Sequence, residues 1–113
     1  MRIILNNGKY VNKVASTLGL LLDGLNSAAA AFSLRKLKSS YAGSAVQVRR
    51  ASDNATQDIG FVNNELDTAS LNTFCSGTNG FVTTWYDQSG NGKNTTQSTG
   101  AKQPKIYDSS TGV

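Results

Sequence analysis

A stretch of strict alternation that runs directly into a dense turn constrains this chain more than any other feature. Phe81, Thr83 and Trp85 alternate with Val82, Thr84 and Tyr86, which is the two-residue period of a β-strand. Asp87-Gln88-Ser89-Gly90-Asn91-Gly92 follows at once, a run of turn-forming residues with no apolar member. Val46 and Val48 alternate in the same way with Gln47 and Arg49. Segments of this kind bury one face of a sheet, so the expected fold is mainly β with one or two helices. Composition agrees. Ser, Thr, Asn, Gln and Gly make up 51 of the 113 residues, and charged residues only 16%, against about 25% in an average soluble domain.

Two parts are expected along the chain. Residues 1–25 read as a leader or assembly segment, with a short strand at 3–5, an Asn6-Asn7-Gly8 turn and a returning strand at Tyr10-Val11. The apolar stretch at 18–25 is interrupted by Gly19, Asp23 and Gly24, so the leader lacks the mass for a core of its own and should pack on something else. Residues 26–113 read as an incomplete β-sandwich module that opens with an amphipathic helix. Asn26 or Ser27 caps that helix, four alanines at 28–31 favour it, and Gly43 lies just past its end. Ala30, Leu34, Leu37 and Tyr41 form its apolar stripe. Phe32 falls opposite that stripe, and Arg35 and Lys36 lie off it. These three are therefore candidate partner-binding residues, unless Phe32 simply lies under a loop. Further on, a strand is expected at 59–62, and a short helix at 68–75 capped by Asp67. Weaker strands are expected at 94–97 and 105–107, on either side of Pro104.

Several chemistries are excluded or disfavoured. There is no histidine and only one cysteine, which rules out His-based catalysis and an intramolecular disulfide. Cys75 reads as a small buried hydrophobe. No apolar run approaches the ~20 residues of a membrane span, and the first residues lack the pattern of a signal peptide. Residues 1–50 carry a net +7 and residues 51–113 a net −3. Without aromatic–basic interleaving, the basic half reads as a solvated face, and nucleic acid is not an expected partner. The seven acids mostly sit beside Gly, Asn or Ser, or at a helix start, where turn and cap roles are the default, so no catalytic pair is expected. Asp87-x-Ser89-x-Asn91-Gly92 resembles the start of a calcium loop, but its twelfth position is Ser98. A self-bonded turn is the better reading, with neither metal nor cofactor expected. Trp85, Tyr86 and Asp87 are candidate glycan contacts, although alternation sends one of the two aromatic rings toward the core.

A resemblance enters across residues 31–106. The blocks Phe32-Ser33-Leu34-Arg35-Lys36-Leu37, Tyr41-Ala42-Gly43, Val46-Gln47-Val48-Arg49-Arg50, Ser52-Asp53, Asp58-Ile59, Phe74-Cys75, Gly77-Thr78 and Trp85 through Gly92 occur in one order. Together they resemble the opening of the catalytic domain of the family 54 α-L-arabinofuranosidases, a concanavalin/laminin-G-like β-sandwich. The same block resembles a module of bacteriophage virion proteins, where it follows a short variable leader. In the enzymes the catalytic carboxylates lie well downstream of the Tyr86-to-Gly90 block, so the resemblance implies scaffold and no catalytic residue here. The enzymes also pair the cysteine matching Cys75 with one placed where this chain has Gly80. The resemblance therefore implies a lost disulfide and assembly in a reducing compartment.

These readings predict a non-enzymatic structural component of a bacteriophage virion (tail, fibre or capsid decoration or attachment protein), assembled in the host cytoplasm. A partial lectin-like sandwich would serve assembly or surface attachment. Its partners would be other virion proteins, further copies of itself, or a host-surface glycan. The alternative is a carbohydrate-binding module or a fragment of an arabinofuranosidase-like glycoside hydrolase.

Overall fold

The structure, a computed structural model, describes residues 3–4, 10–11, 19–25 and 27–113. Strands β1 (Ile3–Ile4) and β2 (Tyr10–Val11) pair antiparallel with Ile3 opposite Val11, as the leader's turn signal predicts. The remainder of the expected first strand and the cap at Asn26 lie outside the described residues.

The main sheet grows outward from β3 (Val46–Arg50), which pairs antiparallel with β4 (Thr56–Ile59) on one side and β7 (Gly80–Trp85) on the other. The far edge of β7 is shared. Strand β8 (Thr95–Thr96) borders its Thr84–Trp85 end, and β9 (Lys105–Tyr107) borders its Gly80–Phe81 end. Val48 faces Val82 while Gln47 faces Thr84, so Thr83 is one residue too many and makes a β-bulge. The expected strand at 59–62 is broken by Gly60 into the end of β4 and β5 (Phe61–Val62), which pairs with β6 (Glu65–Leu66). Asn63 and Asn64 join β5 to β6 with φ of 51° and 67°. Two successive left-handed residues make the tight turn whose twist suits a hairpin, and asparagine tolerates that region better than most side chains.

The helix α1 (Thr68–Phe74) begins where the sequence predicts. The Asp67 side chain accepts from the Ser70 N–H at 3.0 Å and from the Ser70 hydroxyl at 2.6 Å. At seven residues it owes its stability to packing rather than propensity. It buries Leu71 and the following Cys75 against Val46, Val48, Ile59 and Val82, with Phe61, Leu66, Phe74 and Trp85 closing the rim. Cys75 is fully buried and free, and burial pushes its thiol up, with Arg50 opposing. Among the described residues no helix is long and apolar enough to cross a membrane.

The expected amphipathic helix after residue 26 is not formed. Residues 27–45 contain no helical turn, and their backbone groups are bound by distant side chains instead. Four alanines favour a helix by a few tenths of a kcal/mol each. Several buried hydrogen bonds at about 1 kcal/mol apiece outweigh that. The architecture is thus mainly β with one helix and antiparallel sheets.

Candidate functional site

Hydrogen bonds converge on the turn that follows β7. Asp87 is 4% exposed and Gln88 fully buried. The Asp87 carboxylate accepts from the N–H and hydroxyl of Ser89, both at 2.8 Å, and from the Lys93 N–H at 3.0 Å. Asn94 Oδ1 accepts from the Asp87 N–H at 2.9 Å. Gly90 and Gly92, at φ of 92° and 68°, supply the left-handed residues that such closure needs. The calcium-like spacing therefore serves a turn closed by its own hydrogen bonds.

The same turn reaches back to hold residues 28–37 as an irregular strap. Asp87 Oδ1 accepts from the Ala31 N–H at 2.8 Å. The Gln88 N–H donates to Ala31 O at 2.7 Å. Its Nε2 donates to Ser33 O and Arg35 O at 3.1 and 2.8 Å, and its Oε1 accepts from the Leu37 N–H at 2.8 Å. Asn91 Nδ2 donates to Ala28 O and Ala29 O. Burial alone would raise the Asp87 carboxyl. The hydrogen bonds from Ser89, Ala31 and Lys93 outweigh it and hold the group at about 2.

The expected partner residues lie on this strap. Phe32 is 40% exposed, Arg35 forms an exposed ion pair with Glu65 at 2.6 Å, and the Lys36 N–H donates to Asn64 O at 2.8 Å. The expected glycan residues are separated. Asp87 is turned inward to the strap. Trp85 packs on the core rim, where its indole N–H is buried without a partner among the described residues. Tyr86 belongs to the opposite face of the sheet, because its hydroxyl donates to Asp58 Oδ1 at 2.8 Å.

That opposite face is mainly polar. Gln47 Nε2 donates to the same Asp58 oxygen at 3.2 Å, and Gln47 Oε1 accepts from the Thr83 hydroxyl at 3.0 Å. The hydroxyls of Thr84 and Thr96 share a hydrogen bond at 3.3 Å. Further along, the Arg49 guanidinium lies 5.1 Å from the Phe81 ring centre and donates to Gln103 and Asn54. Asp58 is exposed, and its Oδ2 takes no hydrogen bond from the described residues. Burial, and then the bond to Asp58, push the Tyr86 hydroxyl up to about 12. Sequence reasoning placed Gln88 and Asn91 in the turn and Asp58 in a motif block, and gave none of them a role in the strap or on the sheet face. The first two look like ordinary turn residues, and Asp58 sits just before the expected start of its strand.

One apolar face covered by a short helix, one hydroxyl-rich face and a clasped strap define a mainly β layer built on an antiparallel sheet. The family model described as "Alpha-L-arabinofuranosidase B, catalytic" matches residues 22–111, and the chain belongs to that family. It is 45% identical over 65 residues to a probable α-L-arabinofuranosidase B of Aspergillus fumigatus. That match covers 56% of this chain and 13% of the relative. It is 42% identical to the α-L-arabinofuranosidase B of Penicillium canescens, over 56% of this chain and 14% of that protein. Among solved structures, a family 54 α-L-arabinofuranosidase soaked with a cyclic sulfate inhibitor matches at 41% identity and a TM-score of 0.55. It covers 60% of this chain and 15% of that one. An arabinofuranosidase complexed with arabinofuranosyl-α-1,2-xylobiose matches equally. The chain thus spans about a seventh of the length of these relatives.

These matches correct four expectations together. A non-enzymatic role, a bacteriophage virion function, the tail and capsid-decoration description and a virion location all give way, because the matching proteins are glycoside hydrolases. The features that suggested a virion were a partial sandwich core, a leader in need of a partner and an uncharged polar surface. None of them is specific to a virion, whereas the ordered motif block belongs to the enzymes.

Proposed function

We propose that this chain supplies the opening layer of an α-L-arabinofuranosidase catalytic domain and works in the hydrolysis of α-L-arabinofuranosides. The observation that carries this reading is the 41% identical match to arabinofuranosidase structures soaked or complexed with arabinofuranosyl ligands. Hydrolysis of a glycoside needs two carboxylates, about 5–5.5 Å apart for retention or about 6.5–9.5 Å for inversion. Six of the seven carboxylates here are committed to structure. Asp23 binds Leu20 and Ser39, Asp53 binds Arg50, Glu65 pairs with Arg35, Asp67 caps α1, Asp87 closes the clasp, and Asp108 binds Lys105 and Ser110. The contribution of this chain is a rigid sheet and its clasp, with the catalytic carboxylates coming from outside these 113 residues.

The test is release of 4-nitrophenolate from 4-nitrophenyl α-L-arabinofuranoside by the protein produced from its complete reading frame. Turnover well above the uncatalysed rate is expected. A folded protein that leaves this substrate intact would contradict the proposal.

A further inference from the structure

We propose that the polar face of the main sheet carries a saccharide subsite, in which Asp58 and Tyr86 accept hydrogen bonds from neighbouring sugar hydroxyls while Gln47 fixes the carboxylate. The inference rests on the function proposed above and names a site for part of its substrate.

Three observations lead to it. Asp58 is an exposed residue held through one oxygen: Gln47 Nε2 and the Tyr86 hydroxyl both donate to Oδ1, and Oδ2 takes no hydrogen bond from the described residues. Tyr86 spends its hydrogen on Asp58, so its oxygen presents a lone pair beside that carboxylate. Gln47 is itself anchored by the Thr83 hydroxyl, contributed by the bulge residue of β7. The pair is thus organised before any ligand arrives, which reduces the ordering cost of binding.

The chemistry selects a polyol over other ligands. An anion would meet the Asp58 charge. A cation would find a single carboxylate, and no group of three His, Cys, Asp or Glu side chains exists among the described residues. An apolar peptide would gain little from a face of Thr84, Thr96, Gln47 and Asp58. Sugar hydroxyls both donate and accept, and a hydroxyl bound to a carboxylate makes a charge-assisted bond. With the catalytic carboxylates outside these residues, Asp58 has the role of binding a sugar hydroxyl and not of cleaving the glycosidic bond.

The experiment compares the protein from its complete reading frame with Asp58→Asn, Tyr86→Phe and Gln57→Ala, the last on the other pleat of β4. Binding of arabinofuranosyl-α-1,2-xylobiose is measured by calorimetry, and hydrolysis of 4-nitrophenyl α-L-arabinofuranoside by its kcat. Asp58→Asn and Tyr86→Phe should each weaken the trisaccharide about 10-fold or more, and Gln57→Ala should alter neither this binding nor the aryl substrate's kcat. Tyr86→Phe keeps its ring and guards against a folding defect in the other variant. Trisaccharide binding unchanged in both variants overturns the subsite and leaves the proposed function standing. Trisaccharide binding that depends on Asp58, without any hydrolysis, overturns the function and keeps the subsite. A wild type that does neither overturns both.

Discussion

Gln88 makes four of the hydrogen bonds that hold the strap, and both hydrogens of its side-chain amide are used in them. Gln88→Leu keeps the volume and removes three of the four, leaving Ser33 O, Arg35 O and the Leu37 N–H unpaired. A loss of about 3 kcal/mol is expected, read as a lower urea midpoint; a change under 1 kcal/mol would show that the strap does not depend on this residue. Asp87 adds a pH dependence of known sign. Its folded value of about 2 lies below the ~3.9 of an unfolded carboxyl. The stabilisation is therefore present above about pH 4 and lost as pH falls toward 2. Other carboxylates also titrate there, so the informative quantity is the difference between wild type and Asp87→Asn. That difference should shrink between pH 4 and 2, and a constant offset would count against the clasp. Asp87 was legible as a turn residue from its Ser89 and Gly90 neighbours. Gln88 was not, because its side-chain partners lie 51–55 residues away.

At the scale of elements, period-two alternation located β3 and β7, and the Asp67 cap located α1 to within a residue. The strap was misread because its local propensity and its tertiary bonding point to different structures, and only the first is written in neighbouring residues. The approach of α1 to β7 carries its own prediction. A Cβ built on Gly80 would lie 2.6 Å from Cys75 Sγ, 3.1 Å from Tyr107 Cβ and 3.2 Å from Val48 Cγ1. Gly80→Ala should cost about 1–3 kcal/mol through overpacking. Gly80→Cys should instead bond to Cys75 under an oxidant, adding about 2 kcal/mol for so short a loop. Its thermal midpoint should fall when reductant is added, and thiols that remain titratable under oxidant would refute that geometry. The β5–β6 hairpin depends on Asn64 at φ 67°. Asn64→Ala should cost about 1 kcal/mol by thermal unfolding, whereas Asn64→Gly should not destabilise it.

For the whole molecule, the separation of roles between the two sheet faces matters most. The apolar face with α1 forms the core, and the polar face from Asp58 to Lys105 is left for hydroxyl chemistry. The alternation of valines made the first face legible. The second was only partly so: Tyr86 stood out as an aromatic beside a turn, but Asp58 joins it only through strand pairing that no local pattern records. The most direct measurement is a chimera in which this chain's residues replace the matching segment of the Penicillium canescens α-L-arabinofuranosidase B. If this chain is a working layer of that catalytic domain, the chimera folds and releases arabinose from 4-nitrophenyl α-L-arabinofuranoside, and Gln88→Leu within the graft lowers its thermal midpoint. A chimera that folds without activity, or that does not fold at all, would contradict the account.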